Sequence, residues 1–230
     1  MTKIFVDAAD FDEVISLSKK EYISGITTNP TLMRKSGVSN FEIFAKAVIA
    51  STTLPLSLEV FSDEIDEMYE QALKISKWGD QVYIKIPITN TKGQSTCELI
   101  KNLTKLKIKI NITAILSKKQ IDKAINALDP DVNSIISIFA GRIADTGLNP
   151  NDFILYAINK KEHLKKCEVL WASTREIYNL YEAINIGCDI ITIPPSLLKK
   201  ISMKDMDLEE LSLDTIKMFY NDALETGYKI

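Results

Sequence analysis

The sequence predicts an α/β protein, a single (β/α)8 (TIM) barrel with an additional C-terminal helix, and three observations carry that prediction. Short β-branched runs recur eight times along the 230 residues, at 3–7, 25–29, 54–61, 82–88, 107–113, 134–141, 168–173 and 189–194. Amphipathic stretches of helical period lie between them, such as 63–78 (DEIDEMYEQALKISKW) and 117–127 (SKKQIDKAINA). No Gly-rich phosphate loop follows the first run, which argues against the alternative of an open doubly wound sheet. Eight parallel βα units close economically, because closure leaves no unpaired sheet edge.

No low-complexity linker breaks the chain, so 1–230 is read as one barrel domain with 205–230 as a helical extension. In that extension 213–226 (LDTIKMFYNDALET) carries Ile216, Met218, Phe219 and Ala223, apolar positions that need a surface to cover. The barrel or a neighbouring subunit would supply it. A formal charge of −3 gives no basic footprint for nucleic acid or an anionic membrane. No run approaches the roughly 20 apolar residues of a membrane span. The N-terminal Met-Thr-Lys-Ile-Phe-Val-Asp lacks the pattern of a leader, and Cys97, Cys167 and Cys188 read as free thiols in a reducing compartment. A cytoplasmic protein is expected. The one histidine, His163 in KKEHLKK, reads as a solvated helix residue, so neither a His-rich metal site nor a cofactor is expected. Arginine is used only at Arg34, Arg142 and Arg175, which points to places where its planar fork is needed.

In a barrel the outward residues of each strand face helices and are apolar, so the sequence assigns its own faces. Val82, Ile84, Ile86 and Ile88 go outward, which turns Lys85 into the lumen. Leu56, Leu58 and Val60 go outward, leaving Ser57, Glu59 and Phe61 inside. Ile108, Ile110 and Ile112 leave Lys109, Asn111 and Thr113 inside, with Lys109 earlier on its strand and structural. Ile4 and Val6 leave Phe5 and Asp7; the same test puts Thr27, Asn29, Ser137, Phe139, Trp171 and Ser173 in the lumen. The polar members fall toward the carboxyl ends of their strands, where barrel enzymes build their sites, and such a cluster is costly to bury without a use. The competing reading of Lys85 is an ion-pair partner of Asp7 or Glu59, and that of Asn29 a cap before Pro30.

These residues fall in familiar motifs. Gly-Ile-Thr-Thr-Asn-Pro (25–30), Tyr-Ile-Lys-Ile-Pro (83–87), Asn-Ile-Thr (111–113), Ser-Ile-Phe-Ala-Gly-Arg (137–142) and Ala-Ser-Thr-Arg (172–175) together resemble the small transaldolase and fructose-6-phosphate aldolase subfamily over nearly the whole chain. The resemblance implies a Schiff base on Lys85, a water held by Glu59 and Thr113, and proton transfer by Asp7. It implies that Thr27, Asn29, Asn111, Ser137 and Phe139 surround the dihydroxyacetone part. Arg142, Ser173 and Arg175 would bind the phosphate, with Trp171 crowding the acceptor pocket where a smaller residue is usual. Glu59 and Phe139 resemble the transaldolase side, where the aldolases carry Gln and Tyr. The resemblance further implies sugar phosphate substrates in carbohydrate metabolism, and a homo-oligomer, pentamer or decamer, whose C-terminal helix packs on a neighbour. Segments 142–147 and 174–178 differ in detail from members of central metabolism, which leaves a specialised sugar pathway open. An aldolase releasing dihydroxyacetone and an inactive sugar-phosphate-binding barrel are the alternatives.

Overall fold

In the computed structural model, which describes residues 1–227, the eight runs become eight parallel strands closed in sequence order. They are β1 (Lys3–Asp7), β2 (Ile23–Thr27), β3 (Leu56–Glu59), β4 (Val82–Pro87), β5 (Ile110–Ile115), β6 (Ser134–Ile138), β7 (Cys167–Trp171) and β8 (Ile190–Ile193). The seam is sealed by β1 against β8, where Lys3 through Val6 pair with Ile190 through Ile193. Among the described residues no helix is long and apolar enough to cross a membrane.

Two apolar layers follow from the alternation of side chains. The outer layer lies between strands and helices and holds Val6, Leu56, Leu58, Ile84, Ile86, Ile110, Ile112, Val169, Ile191 and Ile193. The inner layer is small: Phe5, Tyr83, Ile135, Leu170, Ala172 and Ile190 plug the lumen, with Phe139 packed against them. This plug is the floor on which the polar residues of the strand ends stand.

Several boundaries differ from expectation for local reasons. β2 stops at Thr27 because Asn29 already caps the helix Pro30–Lys35, its Oδ1 accepting from Leu32 N at 3.0 Å. β5 begins only at Ile110, after Lys107 turns through φ 61°. Phe61 is not in the lumen; it lies past the end of β3, half exposed and edge-on to Phe41 with ring centroids 4.6 Å apart. His163 is exposed as expected, but in a turn beyond the helix Asn151–Lys160. The C-terminal helix runs Leu208–Thr226, starting earlier than the apolar pattern indicates because Asp207 caps it, accepting from the amides of Glu209 and Glu210.

Gly25 shows how tightly the plug is fitted. A Cβ there would lie 2.4 Å from the Phe5 ring, inside van der Waals contact with a buried aromatic. Gly25→Ala is expected to destabilise the fold by about 1–3 kcal/mol through overpacking. Denaturant unfolding checks this, and an unchanged midpoint would mean the Phe5 ring has room to retreat.

Candidate active site

The carboxyl ends of the strands open into a cavity of about 580 Å³, within the range of small-molecule sites. Among the described residues Lys85 on β4 is its only lysine, and the charged residues on its wall are Asp7, Glu59, Lys85, Arg142 and Arg175. Lys85 is 7% exposed, because the outward isoleucines on either side force it into the lumen. Its Nζ lies 3.1 Å from Glu59 Oε2 and donates to the carbonyl of Thr28 at 2.9 Å. Register explains the first contact, since Glu59 and Lys85 are paired neighbours on β3 and β4.

Asp7 ends β1 on the far side of the same opening. Thr27 Oγ1 donates to its Oδ1 at 2.8 Å, while Asn29 Nδ2 reaches Oδ2 only at 3.5 Å. Burial holds the Asp7 carboxyl above its ordinary value, and the opposing pull of the Lys85 charge and of the two hydrogen bonds does not overcome it. A carboxylate shifted in this direction is a stronger base than an ordinary one, which suits it to accepting a proton and giving it back.

A buried amide–hydroxyl chain runs from the interior of the barrel to the cavity wall. Ser137 Oγ donates to Asn111 Oδ1 at 2.6 Å, and Asn111 Nδ2 donates to Ser57 Oγ at 2.9 Å. Ser137 reaches the cavity wall, whereas Asn111 is fully buried one layer lower. Thr113 lies in a register shift between β5 and β6, beside Ala114 at φ 59°. Thr113, inward by the alternation of β5, lines the cavity, where its buried Oγ1 has no protein partner. A buried hydroxyl without a partner calls for a water or a ligand.

At the rim, Phe139 caps the short helix Ala140–Ala144, and the Arg142 guanidinium sits 5.7 Å from its ring centroid. Arg175 Nη2 is 2.6 Å from Asp145 Oδ2, both groups being more than half exposed, an ion pair weak enough to yield to a stronger anion. Ser173 reaches the wall through φ 63°, and its carbonyl passes so close to Gly141 that a Cβ there would lie 1.7 Å from it. Glycine is required at 141 for this approach of the two loops. Arg34 is exposed on the helix Pro30–Lys35 and away from the cavity.

Of the expected lumen residues, Trp171 is corrected as well as Phe61. It is 1% exposed and belongs to the outer layer with Val169, not to the cavity. The run EVLWAS is apolar on both faces, so alternation could not orient it; Leu170 and Ala172 hold the inward positions, and Ser173 enters the cavity only because its backbone reverses there. With small Ala172 in place of an indole, the ground for crowding of the site disappears. Two participants were missed. Thr192 is inward on β8 by the same test that Ile191 and Ile193 satisfy, a signal present in DIITIP but not used. The Thr28 carbonyl leaves no mark in sequence. Cys167 and Cys188 are free and buried, their thiols pushed by burial up to about 11 and about 12, so they stay neutral.

Residues 4–230 match the family model described as transaldolase/fructose-6-phosphate aldolase. A Brucella ovis protein named "Probable transaldolase" is 34% identical over 229 residues, 99% of either chain, and one of the same name from Bartonella tribocorum is 31% identical over 230 residues, again 99% of either. A crystal structure of a candidate phosphonomutase from Burkholderia cenocepacia superposes with a TM-score of 0.57 at 10% identity, covering 96% of this chain and 94% of that one, a likeness of fold alone. With a full-length family match and relatives above 30% identity, the chain belongs to the transaldolase/fructose-6-phosphate aldolase family.

Proposed function

We propose that the protein is a transaldolase that moves a dihydroxyacetone unit from a ketose phosphate to an aldose phosphate through an imine on Lys85. The observation that carries this reading is a nearly buried lysine, 7% exposed, whose Nζ meets a carboxylate at 3.1 Å in a cavity that also holds a second carboxylate and two guanidiniums. An amine attacks a carbonyl only when neutral, and the adjoining Glu59 can take its proton. Glu59 and the unpartnered Thr113 hydroxyl then hold the water lost and regained at the imine carbon. Asp7 takes the C4 hydroxyl proton as the C3–C4 bond breaks, and returns it when the unit adds to the acceptor aldehyde. Asn29 and Ser137, backed by Asn111, bind the hydroxyls of the transferred unit, and Thr27 supports Asp7. Arg142, Ser173 and Arg175 bind the phosphate, a substrate dianion displacing Asp145 from the Arg175 fork.

Phe139 favours transfer over release of free dihydroxyacetone, since its ring offers no hydroxyl to protonate the bound unit and instead lies under Arg142. A cytoplasmic homo-oligomer, pentameric or decameric, fits the same reading. The helix Leu208–Thr226 buries none of its residues and exposes Leu213, Ile216, Phe219, Tyr220 and Leu224. Light scattering should give a mass well above the 230-residue monomer, and a monomer would remove this part of the proposal.

Incubation with fructose 6-phosphate and borohydride should add the mass of a reduced dihydroxyacetone unit to the peptide bearing Lys85. A folded protein with no adduct there would end the Schiff-base reading. Turnover should require an acceptor such as erythrose 4-phosphate, whereas equal turnover without one would favour the aldolase alternative.

Asp7→Asn should lower turnover by roughly 10²–10⁴-fold, the range for loss of a general base. Its stability should move the other way. Because the Asp7 carboxyl is raised in the fold, the ionised form costs stability as pH climbs from the ordinary carboxylate value through the raised one. The variant should therefore melt a few degrees above the parent at neutral pH and equal it below pH 4, about the ordinary carboxylate value. A variant that melts lower at neutral pH would contradict the burial argument.

A further inference from the structure

Asp7 is held by two hydroxyls in series. Thr27 Oγ1 donates to Asp7 Oδ1 at 2.8 Å and also lies 2.6 Å from Thr192 Oγ1 on β8. A threonine hydroxyl has one proton, and that of Thr27 is committed to the carboxylate. The 2.6 Å contact is then a hydrogen bond only if Thr192 donates. Thr192 is 5% exposed, and its own carbonyl accepts from Thr174 Oγ1 at 2.7 Å, which ties the end of β8 to the loop that follows β7. The second oxygen of Asp7 has only the 3.5 Å contact to Asn29.

Resting on the reading of Asp7 as the proton carrier, we infer that Thr192 is a positioning residue: it fixes the Thr27 hydroxyl as a donor to Asp7 Oδ1 and so reserves Oδ2 to take and return the substrate proton. During cleavage the C4 O–H proton moves to Oδ2, the O–H electron pair becomes the new carbonyl, and the C3–C4 pair flows into the iminium on Lys85. Addition to the acceptor reverses each transfer, so the proton balance closes within the site. Donors in series polarise one another, so the Thr192 hydroxyl strengthens the bond Thr27 makes to the ionised carboxylate. The charged groups facing this corner are Lys85 on β4, Glu59 on β3, and Arg142 and Arg175 at the rim. A substitution that removes only the Thr192 hydroxyl leaves all of them in place.

Thr192→Val and Thr192→Ser, compared with the parent and with Asp7→Asn, test this by borohydride trapping with fructose 6-phosphate and by the pH profile of kcat. Thr192→Val should trap sugar on Lys85 as the parent does, turn over roughly 10-fold more slowly, and move the acidic limb of kcat to higher pH. Thr192→Ser should restore both rate and limb. Parent-like kcat and limb in Thr192→Val, a parallel loss of trapping, or a defect that Ser does not restore would each overturn the inference. The Asp7→Asn arm separates the two levels. If that variant keeps the acidic limb, the reading of Asp7 fails and this inference with it. If the limb vanishes there while Thr192→Val behaves as the parent, the role of Thr192 alone fails.

Discussion

An ammonium group can be taken out of water only where acceptors replace the water it loses, and the upper half of this barrel is arranged around one such replacement. Lys85 loses nearly all its exposure and gains the Glu59 carboxylate and the Thr28 carbonyl. Each partner is itself fixed by the sheet. Glu59 is set by its register with Lys85 across β3 and β4, and Thr28 by its hydroxyl donating to the carbonyl of Ser57 at 3.0 Å. Removing one member of a buried charged pair leaves the other uncompensated, which is far more costly than the pair is worth. The amine therefore has little freedom except the motion its chemistry requires.

Stability and chemistry are divided by height in the lumen. Phe5, Tyr83, Ile135, Leu170 and Ile190 seal the lower barrel, and nothing polar is asked of them. The buried chain from Ser57 through Asn111 to Ser137 links the barrel interior to the cavity wall through two internal hydrogen bonds. Above it the bonds become incomplete: Thr113 Oγ1 has no partner, and Asp7 Oδ2 has only a long one. Unmet capacity around the cavity is what a site that must bind and release a polar molecule requires.

The strands and the inward lysine were legible because the outward faces of β3, β4 and β5 are strictly apolar and their inward faces are not. Where both faces are apolar, as in EVLWAS, the rule had nothing to separate and Trp171 was turned the wrong way. Phe61 was misplaced for a different reason, since alternation holds only while the strand lasts and β3 stops at Glu59. Thr113 follows the alternation of β5, whereas Ser173 was placed inward on the same mistaken phase as Trp171 and reaches the cavity only through a positive φ, a backbone event that side-chain pattern does not encode. The family motifs carry both positions without the geometry. Thr192 was readable and overlooked; the Thr28 carbonyl, a main-chain group, was not readable at all.

The central claim is that one amine, seated between an acid and a carbonyl in the barrel mouth, becomes bonded to a sugar carbon. A crystal structure of the borohydride-reduced complex with a ketose phosphate tests this most directly. The account predicts unbroken density from Lys85 Nζ to the second carbon of a three-carbon unit whose hydroxyls lie against Asn29 and Ser137. Sugar bound without that bond, or bonded to a different lysine, would contradict it.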